Sequence, residues 1–71
     1  MYICIIDGIV NISYNKKEWI KLQSSQFIYI SEQNWKITYD DVAIIYYNNL
    51  YIIKNTTSIS VSNDGQVWID L

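Results

Sequence analysis

Apolar and polar residues alternate along most of this chain with a period of two, in runs of about five residues separated by short polar clusters. Residues 2–6 are a run of β-formers ended by Asp7-Gly8, a pair that readily takes the positive φ values of a tight hairpin loop. In 9–14, Val10, Ile12 and Tyr14 fall on one side and Asn11 and Ser13 on the other. After Asn15-Lys16-Lys17, residues 18–22 set Ile20 and Leu22 against Trp19 and Lys21. Gln23-Ser24-Ser25-Gln26 is a turn, and 27–31 then set Ile28 and Ile30 against Phe27 and Tyr29. Glu32-Gln33 leads into 34–39, where Trp35, Ile37 and Tyr39 alternate with Lys36 and Thr38. The run 42–47 is apolar or aromatic at consecutive positions, which predicts a strand covered on both faces. Asn48-Asn49 is a two-residue loop, 50–54 returns, and Asn55-Thr56-Thr57 leads into a last hairpin over 58–71. No run has a period near 3.6, so no helix is expected. The pattern predicts one all-β domain over 1–71, a small antiparallel meander of about nine short strands forming a barrel, a sandwich or a curved sheet.

One turn is written more than once. Ser62-Asn63-Asp64-Gly65-Gln66-Val67-Trp68 and Ser13-Tyr14-Asn15-Lys16-Lys17-Glu18-Trp19 share the Ser-to-Trp spacing and an Asp or Asn two residues after the Ser. Their tails match as well, Trp19-Ile20-Lys21-Leu22 against Trp68-Ile69-Asp70-Leu71, and Ile28 to Trp35, with its Ser31, reads as a shortened third copy. In such a turn Ser62 or Asp64 accepts hydrogen bonds from turn amides, Gly65 frees the backbone, and Trp68 folds back over the hairpin. The same structural parts fall to Ser13, Asn15 and Trp19. These residues resemble the Asp-box (BNR) repeat of sialidase-type β-propellers and of many phage and secreted β-proteins, whose pattern is Ser-x-Asp-x-Gly-x-x-Trp. Gly65 follows Asp64 directly, one residue early, and the first copy has no Gly. The resemblance implies a structural turn away from any active site. Three or four hairpins also fall short of the four four-stranded blades a propeller needs.

Composition narrows the function. A chain of 71 residues buries only about 60% of its unfolded surface, so its own core is marginal. Cys4 is the only cysteine and His is absent, which excludes an internal disulfide and the usual zinc sets. Between Ile3 and Ile5, Cys4 is expected to be a buried small hydrophobe. Stabilisation is therefore expected from other protein subunits, as a homo- or hetero-oligomer or by docking on a large assembly. The net charge of −2, with five Lys and no Arg, lacks the electrostatic footprint of a nucleic-acid binder. The apolar start carries Asp7 and no basic region, so it reads as neither a signal peptide nor a membrane span.

Catalytic chemistry is poorly supplied. Without His there is no Ser-His or Cys-His arrangement. The carboxylates Asp7, Glu18, Glu32, Asp40, Asp41, Asp64 and Asp70 fall mostly at turns, where solvated acids are common. Asp40-Asp41 has too few oxygen ligands nearby to suggest a cation site, and no cofactor is called for. What remains is an apolar and aromatic excess. Ile45, Tyr46, Tyr47, Tyr51 and Ile53 are expected to form an interface, with the aliphatic share favouring a dry protein contact over a sugar ring. The sequence thus points to a non-enzymatic structural subunit, such as a decoration or accessory protein of a phage virion, located in the virion or the cytoplasm. The alternative is a carbohydrate-binding module with Trp19, Trp35 and Trp68 as platforms.

Overall fold

The computed structural model describes all 71 residues as nine antiparallel strands in two sheets. Strands β1 (Tyr2–Ile6), β2 (Ile9–Ser13) and β3 (Ile20–Leu22) form sheet I in that order. Sheet II is a six-stranded meander of β4 (Gln26–Ser31), β5 (Asn34–Tyr39), β6 (Val42–Tyr47), β7 (Leu50–Lys54), β8 (Ile59–Ser62) and β9 (Ile69–Asp70). The tight loops follow from their residues. Asp7 and Gly8, and likewise Asn48 and Asn49, all have positive φ, the backbone of a two-residue loop whose twist matches its strands. Asn55 organises the β7–β8 connection by accepting from the backbone N–H groups of Thr57 and Ser58, at 2.9 and 2.8 Å. No helix is long and apolar enough to cross a membrane.

The two sheets pack face to face. Val10, Ile12 and Leu22 of sheet I and Ile37 and Ile44 of sheet II are buried together with Met1. Around them lie Ile3, Phe27, Trp35, Tyr39, Val42, Tyr51 and Ile53. Only nine of 71 residues are buried, so most side chains of this fold stay within reach of solvent or of another molecule.

Sheet I repeats the second half of sheet II, 49 residues later. Tyr2 pairs with Ser13 and Ile3 with Ile12, as Tyr51 pairs with Ser62 and Ile52 with Val61. Ile12 pairs with Ile20 as Val61 does with Ile69. Val10 faces Leu22, and correspondingly the N–H of Leu71 donates to the carbonyl of Ile59 at 2.9 Å. Strands β1-β2-β3 and β7-β8-β9 are therefore one unit used twice, and in the second use β4, β5 and β6 extend it.

Three expectations need correction. The β6 strand is not covered on both sides, because only one face of sheet II meets sheet I: Ile44 is buried, while Tyr47 on the other face is exposed. Cys4 is exposed rather than buried, since its side chain alternates away from Ile3 and Ile5 on the outer side of sheet I. Ser31 to Trp35 is not a third copy of the serine turn. Ser31 and Asn34 face each other across a tight β4–β5 loop, and the Ser31 hydroxyl accepts from the Asn34 side chain at 2.7 Å instead of from loop amides.

Candidate functional site

Two serine loops and one open sheet face are the constructed features of this molecule. In the first loop the Ser13 hydroxyl accepts from the N–H groups of Asn15 (3.2 Å) and Lys16 (2.8 Å) and donates to Asn15 Oδ1 (3.2 Å). Asn15 Oδ1 in turn accepts from the N–H groups of Lys17 (2.8 Å) and Glu18 (2.9 Å). The second loop repeats every bond. Ser62 accepts from Asp64 (3.3 Å) and Gly65 (2.8 Å) and donates to Asp64 Oδ1 (3.0 Å), which accepts from Gln66 (2.8 Å) and Val67 (3.0 Å). Four amides that a strand-to-strand connection would leave unpaired are thereby satisfied by two side chains. Both serines are buried, and the position three residues after each serine has positive φ, 68° at Lys16 and 75° at Gly65.

Electrostatics follow the bonds. The amides of Gln66 and Val67, then the Ser62 hydroxyl, hold the Asp64 carboxyl below its ordinary range. A tyrosine from the first strand of each unit lies against the loop. Lys16 Nζ stands 4.6 Å from the centre of the Tyr2 ring, and a Cβ placed on Gly65 would lie 3.4 Å from the Tyr51 ring. Burial raises the Tyr51 hydroxyl, with Tyr46 and Asp64 adding to it.

The loops differ in what covers them. The Met1 nitrogen donates to the carbonyl of Gly65 at 3.1 Å. In the amide orientation that satisfies both its ends, Gln66 donates to the carbonyl of Tyr14 at 2.9 Å and accepts from the Met1 nitrogen. The second loop is thus clasped by sheet I, and its contact with Tyr14 joins it to the first. Lys16, Lys17 and Glu18 of the first loop are exposed.

The five residues expected to make one interface lie on two faces. Tyr51 and Ile53 pack toward sheet I, and Tyr46 joins them on that side, stacked between Trp35 (5.7 Å) and Tyr51 (4.5 Å between ring centres). Ile45 and Tyr47 alternate to the opposite, outer face. There the register aligns Ile28, Lys36, Ile45, Ile52, Val61 and Ile69 in one row across all six strands. Sequence reading missed Val61 and Ile69 as members of this surface. The usable signal was the repeated turn with its matching tails, which sets Val61 and Ile69 in the places of Ile12 and Ile20.

The outer face of sheet II is the same surface that sheet I buries. Val10, Ile12 and Leu22 correspond to Ile59, Val61 and Leu71, and Leu22 is 4% exposed where Leu71 is 76% exposed. The three tryptophans are separated. Trp35 belongs to the inner aromatic stack, and Trp19 lines a small cleft with Cys4, Ile6 and Asn11 on sheet I. Trp68 is half-buried with its indole N–H buried and unpartnered. No three His, Cys, Asp or Glu side chains come together.

Compared with known proteins, the chain matches no family model, no curated protein and no solved structure.

Proposed function

We propose that this chain is a non-enzymatic structural subunit that assembles with other protein subunits through the outer face of sheet II. The observation that carries the reading is the apolar row Ile45, Ile52, Val61 and Ile69, in which Val61 holds the place of the buried Ile12 and over which no second layer of these 71 residues packs. An apolar row of this kind across a whole sheet marks a protein contact more often than a catalytic surface. Lys36 within the row gives the contact one charged point, suited to an acidic partner at that position. The two serine loops act as Asp-box-type turns that hold strand ends in place. A decoration or accessory protein of a large particle such as a phage virion is the class we favour, because such particles supply extended apolar surface to a small domain.

The test is co-sedimentation with particles from the source cells, comparing the natural chain with an Ile45→Lys/Val61→Lys double variant. The natural chain is expected in the particle fraction and the folded double variant in the soluble fraction. Both remaining in the soluble fraction would overturn the proposal. The carbohydrate reading has the exposed Trp19 in its favour, and binding to a glycan array that Trp19→Ala abolishes would replace the assembly reading with it.

A further inference from the structure

We propose that β1 is a pairing edge for a second copy of this chain, the two β1 strands lying antiparallel across a two-fold axis at Cys4 and completing sheet I to six strands. The internal repeat carries the argument. β1 corresponds to β7, and in sheet II the far edge of β7 is occupied by β6 in antiparallel register. The corresponding edge of β1 has no strand on it among these 71 residues, which leaves Ile5 48% and Ile6 56% exposed.

The backbone of β1 is set up for such a strand. Residues that flank a two-residue hairpin loop exchange both hydrogen bonds, and the pattern then alternates along the strands. From the Asp7-Gly8 loop, Ile6, Cys4 and Tyr2 bond to β2, so the N–H and C=O groups of Ile3 and Ile5 point to the free edge. From the Asn48-Asn49 loop the same counting turns Ile52 and Lys54 toward β6, and these are the positions equivalent to Ile3 and Ile5. The two halves of the repeat agree.

Among the free edges, β1 is the long regular one. β3 has three residues and β9 two, and the register of β4 shifts between Tyr29 and Ser31. β1 has five residues in unbroken register and carries none of the charges, prolines or bulges that natural sheets use to guard an edge.

A second β1 fits it. With Cys4 opposite Cys4, Tyr2 faces Ile6 and Ile3 faces Ile5, so all five residues pair and every opposed position but that of Cys4 holds two β-formers. The Cys4 pair is then a non-hydrogen-bonded one, with a Cα separation of about 4.5 Å. Disulfides span Cα separations of roughly 4.4–6.8 Å, so this pairing places the two thiols where an added oxidant can join them. Each thiol loses one proton and the pair loses two electrons to that oxidant as the S–S bond forms. The contact is separate from the outer face of sheet II, and the two can fail independently.

Equilibrium sedimentation of the purified chain under reductant is expected to give a dimer, and a two-electron thiol oxidant such as diamide is expected to trap it as a Cys4–Cys4 species on a non-reducing gel. Ile5→Pro removes the N–H that faces the free edge, and Ile5→Lys adds the kind of charge that guards natural edge strands against pairing. Each is expected to keep the β-sheet circular dichroism and to weaken the dimer about tenfold or more. A folded natural chain that stays monomeric at every concentration would overturn the proposal. So would a dimer that both Ile5 variants leave intact, that yields no Cys4 cross-link, and that Val61→Lys dissolves instead.

Discussion

The serine loops at Ser13 and Ser62 make the same five hydrogen bonds, yet the residue three after the serine is exposed in the first loop and buried against Met1 in the second. At the position of positive φ the exposed loop has Lys16 and the clasped loop has Gly65. A Cβ on Gly65 would sit 2.8 Å from the Met1 nitrogen and 3.1 Å from the Met1 Cβ, so the contact requires glycine there and the positive φ favours it. Lys16 is exposed, so its side chain meets no such clash, and its ammonium stands over the Tyr2 ring. The difference shows that the hydrogen-bond pattern of the turn is local, while the choice of residue within it answers to what packs on top.

Five substitutions probe that comparison. Gly65→Ala has the largest expected effect: strain at positive φ plus the clash with Met1 should cost roughly 2–5 kcal/mol in a chemical denaturation curve. A loss below about 1 kcal/mol would mean that sheet I does not clasp the loop. Ser62→Ala should follow at roughly 2–3 kcal/mol, because the Gly65 N–H it leaves unpaired is buried, with Ser13→Ala costing about 1 kcal/mol less. Equal losses at the two serines would break the contrast between a covered and an open loop.

The fourth substitution concerns pH. Amide and hydroxyl donors depress the Asp64 carboxyl in the folded state, so its contribution to stability is present above the ordinary carboxylate range and fades as pH falls through the depressed value. Asp64→Asn should keep the loop folded, since Asn15 makes the equivalent bonds, and should flatten the acid limb of the stability–pH profile. An unchanged acid limb would show that other carboxylates govern it. The smallest effect is expected at Lys16→Gly. Relief of positive φ is worth about 1 kcal/mol and loss of the cation–π contact costs about 0.5–1 kcal/mol, so thermal melting should shift by about 4 °C at most. A large loss there would mean that Tyr2 and Lys16 matter more than the backbone.

Much of the fold could be read from the sequence because it is local. Strands β1, β5, β6 and β7 run over the residues their alternation predicted, with loops where Asp-Gly and Asn-Asn demand positive φ. The serine loops were readable for the same reason, since Ser13, Asn15, Ser62 and Asp64 bond to amides two or three residues away. Trp35 shows the limit: it resembled the tryptophans that follow the serine loops, but it lies inside a strand and stacks on Phe27 and Tyr46.

The amino-acid sequence by itself determined which segments are strands, how tightly each turns, and that one hairpin unit is used twice, because each of these depends on interactions within a few residues. Only the tertiary structure decided which side of each strand is core. Ile44 and Ile45 are the same residue type on opposite sides of β6, and one is buried only because sheet I packs against that side. Likewise Leu22 and Leu71 hold one place in the repeat, and whether that place is covered depends on packing between sheets, which alternation along a strand does not encode.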